Sequence, residues 1–443
     1  MAFIHKGKTI KSVGFFGFGK SNRAVYKYLN ENHPDLSFTV RVSSNEKDLP
    51  ENAIIFKGEN VFKNLYEDLI FVSPSVRRDK REFRAKLLSS DAELFFEKNT
   101  HDVFAVTGSD GKSTTTTLTK KLLEGGYKES FAVGNIGVPF SSMINYHGSC
   151  AFAAELSSFQ LMNFAPQSRR ALITNITPNH LDWHSSYEEY ISAKENALKN
   201  TKEAVLYIED NLSLTLAKRY TPYAIASIKL TESDIKKYNA QTYVYIKNDA
   251  IYVNGEEFIK RTDILRNETC NLKNFVSAIA LCYGFFDKSK LLEVAQSFSG
   301  LPHRFELVMG NSGYKVYNSS IDTSPQRSFS TLSSKNGEYV LIMGGRTKMK
   351  NFEILRNLIE KNAHALVLTG ENRYEIYEKL KPISTSVYLE ENFNSAVKLA
   401  QALADNKCDI IFSPASTSFD AFENFEKRGE AFKLALRSTE KGF

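Results

Sequence analysis

Residues Val106 to Thr117 read VTGSDGKSTTTT. Two glycines, a lysine and a serine at this spacing suit one task, the cradling of a phosphate. Gly108 and Gly111 let the backbone approach an anion closely. Successive backbone N–H groups and the start of a following helix favour negative charge. Lys112 offers a point charge for β- and γ-phosphates, and Ser113 an oxygen for Mg²⁺. The full pattern G-x-x-x-x-G-K-[ST] is not met, because Val106 stands at its first glycine. The plain alternative is a glycine turn with a surface lysine. An apolar strand before the loop and a helix after it weigh against that alternative.

Two further places carry polar groups suited to chemistry. Glu155 ends the apolar run Ala151 to Leu156, where open α/β sheets bind ligands, and it could hold Mg²⁺. The alternative is a strand-end carboxylate in solvent. In NITPNHLDWH, His180, Asp182 and His184 alternate. Zinc wants three or four such ligands in a closed set, and a fourth is not obvious. His180 reads equally as a metal ligand or a loop residue, since hard cations prefer oxygen.

The elements that must position these groups are legible around them. Strand Ser12 to Phe16, the turn GFGKSN (Gly17 to Asn22) and an amphipathic stretch Arg23 to Leu29 open the chain. The turn is close to a dinucleotide fingerprint, with Asn22 at its third glycine. A tight turn without a ligand is an equal reading. A strand Leu69 to Ser73 follows. From about Asn99, strands Val103 to Thr107, Ala151 to Leu156, Ala171 to Asn175 and Ala204 to Ile208 alternate with helical stretches. Thr242 to Phe258 alternates with period two around Asn248-Asp249 and predicts a hairpin. A helix Asn271 to Phe286 closes this segment. Beyond Leu301-Pro302, strands Tyr339 to Met343, Ala365 to Thr369, Ser386 to Leu389 and Ile410 to Ser413 predict another βαβ unit with a parallel sheet.

The bulk numbers agree with an ordinary globular chain. It has 443 residues, which at roughly 100–200 per domain suggests two to four domains. A net charge of +6 is small against 57 basic and 51 acidic side chains, and no long basic stripe invites nucleic acid. The densest basic run, Arg77 to Lys86, reads as a solvated helix face. The cysteines at 150, 270, 282 and 408 form no CxxC pair, so neither a zinc site nor a disulfide framework is expected. No stretch of about 18 apolar residues occurs, and the N-terminus has no signal-peptide pattern. A cytoplasmic monomer without membrane insertion is the expectation.

Taken together, TGSDGKST, GNIGVP, ELSSFQL, NITPNHLDWH, LPHR and SPASTSFDAFENFEKRG occur in an order and at spacings that resemble the Mur ligases of peptidoglycan synthesis. ELSSFQL and the SPAS-to-RG block resemble the D-glutamate-adding branch. The likeness runs from Gly17 to Phe432. It implies an α/β chain of three domains. A Rossmann-like domain (1–97) binds the UDP-substrate, a central P-loop ATPase-type domain with a mostly parallel sheet (98–299) binds ATP, and a Rossmann-like α/β domain (300–443) binds D-glutamate. It also implies the reaction. ATP phosphorylates the terminal carboxylate of UDP-N-acetylmuramoyl-L-alanine, and the amine of D-glutamate attacks the acyl phosphate.

Roles follow from the resemblance residue by residue. Gly108, Ser109, Asp110, Gly111, Lys112, Ser113 and Thr114, with Asn271, Asn274 and Arg304, would bind ATP. Ser113, Glu155, His180 and Lys194 would hold two Mg²⁺ ions, Lys194 as an N6-carboxylated lysine. Lys112, His180, Lys194 and Asn135 would be catalytic. Lys20, Ser21, Ser73, Asn135 and Ser157 would meet the UDP-substrate. Thr323, Lys348, Ser418, Phe419 and Phe425 would meet D-glutamate. Cys270 stands where a histidine is usual, and His303 precedes the LPHR arginine. NSSIDTS (Asn318 to Ser324) departs from the family pattern: Ser319 replaces an aspartate and Ile321 a lysine, with Asp322 or Arg327 as substitutes. Ser43 or Ser44 stands where an acidic residue is usual. Competing readings are a folylpolyglutamate-synthase-type ligase, another Mur ligase, a zinc hydrolase on His180 and His184, and a nucleotide switch without chemistry. The third domain is expected to close on ligand binding.

Overall fold

The computed structural model describes residues 2–440 apart from 43–45, 47, 59–60, 62–65, 79–86, 182, 210, 311–313, 336 and 406. The side chains at 235, 270, 310 and 438–440 also lie outside the description. Ser43, Ser44, Asp182, the Cys270 side chain and most of the basic run therefore fall outside it. The chain forms two compact units, Met1–Ile264 with Asn271–Gln296, and Leu265–Cys270 with Ser297–Phe443.

The first unit contains two larger sheets. Five parallel strands run in the order Ile54–Lys57, Ser37–Val42, Ser12–Phe16, Leu69–Val72, Leu88–Ser89. The turn after Ser12–Phe16 leads into helix Lys20–Asn32, as expected. Asn22 explains its own place at the third glycine position. Its side chain is buried, and Nδ2 donates to the carbonyls of Gly17 (2.7 Å) and Phe71 (3.2 Å). The amide ties the turn to two strand ends, a task glycine cannot perform.

The second sheet has nine strands, ordered Glu256–Lys260, Ala250–Val253, Thr242–Lys247, Ala224–Ser227, Thr201–Tyr207, Ser168–Ile173, Asp102–Thr107, Cys150–Glu155, Glu129–Gly134. Its centre is parallel and buried, which is why its strands read as continuous apolar runs. The predicted hairpin is present, with Asn248 and Asp249 both at positive φ. A second such turn at Asn254-Gly255 adds a third strand that the alternation did not announce.

The second unit carries six strands in the order Glu306–Gly310, Lys315–Asn318, Asp409–Phe412, Tyr339–Gly344, Ala363–Thr369, Ser386–Leu389. The expected parallel sheet is corrected at one edge, where Glu306–Gly310 pairs antiparallel with Lys315–Asn318. An edge strand needs no crossover helix, so a short connection suffices. Helices cover the sheet, and Phe412, Val367 and Ile342 pack against Ala396, Ala400 and Phe432.

Candidate functional site

The glycine loop lies between strand Asp102–Thr107 and helix Lys112–Leu123. Gly108 has φ 148° and Gly111 φ 77°. A Cβ at Gly108 would fall on Thr174 Oγ1, and one at Gly111 on Asn274 Oδ1. Both glycines are therefore required by conformation and by space. Asn175 pins the loop: Ser109 N–H and Asp110 N–H donate to its Oδ1 at 3.1 and 2.8 Å. Ser109 Oγ meets Tyr190 OH at 2.8 Å and donates to Thr177 O at 2.9 Å. These ties use the donors of Ser109 and Asp110 internally. The helix ladder opens with Thr115 N–H to Gly111 O. Lys112 Nζ folds back onto Ser109 O at 2.9 Å.

Three strand ends abut at this loop. Val106 pairs with Glu155 and Thr107 with Ile173, so the segments after all three strands share one edge. Glu155 is 1% exposed, which rules out a solvated strand-end carboxylate. Its Oε1 accepts from Asn135 Nδ2 at 2.8 Å, while Oε2 has no hydrogen-bond partner among the described residues. A buried carboxylate oxygen left this way suits a cation. Lys194, on helix Tyr187–Lys199, is buried and donates from Nζ to Gly108 O at 2.6 Å. Burial pushes its ammonium well below the ordinary lysine range. Lys112 adds to that, and Asp110 and Glu155 oppose it.

The remaining residues around this edge are spread over several segments. Ser157 caps the short helix Ser158–Leu161 in a capping box with Gln160. His180 lies on an exposed turn at φ 54°, its ring 5.0 Å from Phe159. His184 faces inward, with Nε2 3.0 Å from Ser158 Oγ. Among the described residues no three His, Cys, Asp or Glu side chains form a metal cluster. Asn271 and Asn274 lie on helix Thr269–Cys282, and Asn274 Oδ1 accepts from Thr115 Oγ1 at 3.2 Å behind the loop. Lys20 and Ser21 sit in the first turn of helix Lys20–Asn32, which has no side-chain cap. Lys20 Nζ reaches Gly137 O at 3.0 Å, and Ser73 Oγ is 3.2 Å from Ser75 Oγ.

The second unit gathers another edge. Strands Lys315–Asn318, Asp409–Phe412 and Tyr339–Gly344 are parallel neighbours, so the segments holding Thr323, Ser418 and Lys348 leave the same side of the sheet. A two-way backbone bridge, Arg346 with Thr417 at 2.9 and 3.0 Å, joins the last two. Ser320 Oγ donates to Phe425 O at 2.8 Å and joins the first to helix Phe425–Glu440. Ser418 is buried, whereas Lys348 is exposed and Phe419 is 60% exposed. Arg304 is exposed on a tight turn. His303 is buried, its Nδ1 3.1 Å from Asn318 Nδ2. Asp322 is buried; desolvation raises its pKa, and Ser413 Oγ donates to it at 2.8 Å. Arg327, the other substitute, is exposed and donates to Ile321 O at 3.1 Å.

Sequence reading misplaced Arg77 and Arg78. They are not on a solvated helix face. Arg77 is buried and donates to Glu189 through two nitrogens at 2.8 and 2.9 Å, and Arg78 pairs with Glu93 at 2.6 Å. Nothing local in a basic run announces that Arg77 meets a carboxylate 112 residues away. Asn175, which pins the loop, read only as the last residue of the run Ala171 to Asn175.

Against known proteins, residues 106–282 match the Mur ligase middle domain. The chain is 34% identical to the UDP-N-acetylmuramoylalanine–D-glutamate ligase of Acetivibrio thermocellus over 97% of each chain. In fold it is similar to the UDP-N-acetylmuramate-alanine ligase of Thermotoga maritima, with a TM-score of 0.58, 19% identity and 97% of this chain covered. It is also similar to a folylpolyglutamate synthase of Thermotoga maritima, with a TM-score of 0.56 and 11% identity, over 79% of this chain and 93% of that one. The chain belongs to the Mur ligase family, in its UDP-N-acetylmuramoylalanine–D-glutamate ligase branch.

Proposed function

We propose that the two strand-end edges divide the work of one ATP-dependent amide ligase. The protein adds D-glutamate to UDP-N-acetylmuramoyl-L-alanine and forms ADP and phosphate, a step of peptidoglycan precursor synthesis. The residue assignments are our reading. The observation that carries them is the closeness of Lys112, Asp110, Glu155 and Lys194 around one glycine loop.

In this reading Gly108 to Thr114 hold the ATP phosphates. Lys112 leaves the Ser109 carbonyl and turns to the β- and γ-phosphates, where its charge stabilises the transferring group. Asn271, Asn274 and Arg304 are assigned to the nucleotide in the same reading. Asn135 and Ser157 orient the muramoyl-alanine carboxylate, while Lys20, Ser21 and Ser73 take the UDP end. Thr323, Lys348, Ser418, Phe419 and Phe425 hold D-glutamate, with Lys348 and the backbone amides of Ser418 and Phe419 against its carboxylates. The chemistry then needs the amine and the acyl phosphate held in line.

Mg²⁺ fits the donors present: the Glu155 oxygen without a hydrogen-bond partner among the described residues, Ser113, His180 and Lys194 would hold two ions, which would supply charge neutralisation at the phosphates. Lys194 fits this set as a carboxylated residue. Its burial favours a neutral amine, which adds CO₂ to give a carbamate oxygen and releases a proton. We extend the same reading to three functional regions, 1–97, 98–299 and 300–443, in a cytoplasmic monomer that needs no nucleic acid. Among the described residues, no helix is long and apolar enough to cross a membrane.

The test is phosphate release from ATP with UDP-N-acetylmuramoyl-L-alanine and D-Glu, L-Glu, D-Ala or meso-diaminopimelate in turn. Release that depends on D-Glu is expected. Release with another amino acid would move the substrate. ATP binding without any release would replace the ligase with a nucleotide switch.

A further inference from the structure

Arg77 stands outside every assignment above, yet it follows the segment of Ser73 and touches the elements that carry His180 and Lys194. It follows the segment Ser73-Pro74-Ser75, whose turn is closed by Val76 N–H to Ser73 O at 2.9 Å. Its Nη1 donates to Trp183 O at 2.8 Å, and its guanidinium lies 5.1 Å from the centre of the Trp183 ring. Trp183 returns the contact, donating from Nε1 to Ser75 O at 3.1 Å. The turn so gripped is that of His180, whose carbonyl accepts Trp183 N–H at 3.0 Å and His184 N–H at 2.9 Å. The fork to Glu189 reaches the helix that carries Lys194. His184 Nε2, 3.0 Å from Ser158 Oγ, extends the cluster to the helix that Ser157 caps.

We propose that Arg77 is a positioning residue of the ligase. By clamping Trp183 and Glu189 to the segment after Ser73, it holds the His180 turn and the Lys194 helix in register with the UDP-substrate segment. The inference rests on the reading that His180 and Lys194 serve the reaction. A planar fork satisfied on both nitrogens by a carboxylate fixes direction as well as distance, which an ammonium cannot do. Displacement of a reacting group by about 1 Å costs on the order of 100-fold in rate.

Trp183 is the single tryptophan of the chain, so its emission reports the clamp directly. The experiment uses the full-length protein and compares Arg77→Gln, Arg77→Lys, Glu189→Gln and the Arg77→Gln/Glu189→Gln double variant. His180→Ala and Lys194→Ala serve as controls. Arg77→Gln is expected to lower kcat for D-Glu-dependent phosphate release about 10- to 100-fold while KM for ATP stays within about twofold. Trp183 emission should shift to the red. Arg77→Lys should recover part of kcat, and the double variant should be no slower than Arg77→Gln. If Arg77→Gln does not fold, the Arg77→Lys and Glu189→Gln variants give the same readouts. A kcat unchanged after correction for folded fraction, or additive losses in the double variant, would overturn the proposal. If the two controls keep full activity, the site reading itself falls, and this inference with it.

Discussion

The two strand-end edges look alike in topology and differ in where they put charge. In the first unit, buried Glu155 and Lys194 stand beside a glycine loop in which Asp110 is exposed, and one Glu155 oxygen lacks a hydrogen-bond partner among the described residues. In the second, the buried charges are committed to structure. Arg428, 1% exposed, donates to Ser320 Oγ at 3.1 Å, Ser320 O at 2.8 Å and Ser416 O at 3.0 Å. Lys348 and Phe419, which the proposed reading assigns to D-glutamate, are exposed instead. A buried charge with spare valence marks chemistry, and one whose donors are satisfied marks scaffolding.

The largest expected effect tests the first half of that contrast. Lys112→Ala removes the point charge from the loop without removing either glycine. D-Glu-dependent phosphate release should fall by on the order of 10³-fold, about 4 kcal/mol of transition-state stabilisation, with the melting temperature nearly unchanged. Activity within about tenfold of the parent would show that the loop binds without catalysing.

The next effects set the two kinds of buried charge against each other as stability. Arg428→Met leaves a carbonyl pair and a hydroxyl without their donor and should destabilise the second unit by about 3 kcal/mol in urea unfolding. Lys194→Met relieves a desolvated amine and should stabilise the first unit by about 1 kcal/mol, although turnover is lost. Equal destabilisation by both would erase the distinction drawn above. The opposite signs would show that Lys194 is retained at a cost to the fold.

How far these features were legible depends on the range of the interactions that make them. The glycine loop was readable because strand, turn and helix are contiguous, and Gly108 and Gly111 are demanded by their own φ. Strand positions in the central sheet were readable because parallel burial makes whole runs apolar. The antiparallel edge Glu306–Gly310 was not, since a short edge strand carries little periodicity. Asn175, Thr174 and Arg77 were invisible because their meaning lies 66, 64 and 112 residues away, in Ser109, Asp110 and Glu189. The basic run misled for the same reason: charge patterning reports local repulsion and says nothing of a buried acceptor.

The smallest expected effect separates the two arginines by pH. Arg77 holds a carboxylate, whereas Arg428 donates to neutral oxygens. Arg77 hydrogen bonds draw the Glu189 pKa down to about 2, helped by Ser185 N–H and the Arg77 charge, and burial opposes them. A carboxyl lowered on folding lends stability that is complete above its unfolded pKa, near 4.5, and is lost as pH falls through the folded value. The melting-temperature gap between the parent and Arg77→Gln should therefore be constant above about pH 5 and narrow toward pH 2. Among the described residues no carboxylate accepts a hydrogen bond from Arg428, and Asp420 and Asp322 favour it only through their charge, so the gap for Arg428→Met should narrow less over the same window. Parallel pH profiles for the two variants would mean that Glu189 is not the anion that matters to Arg77, and would leave the Trp183 carbonyl and ring as the contacts that hold it.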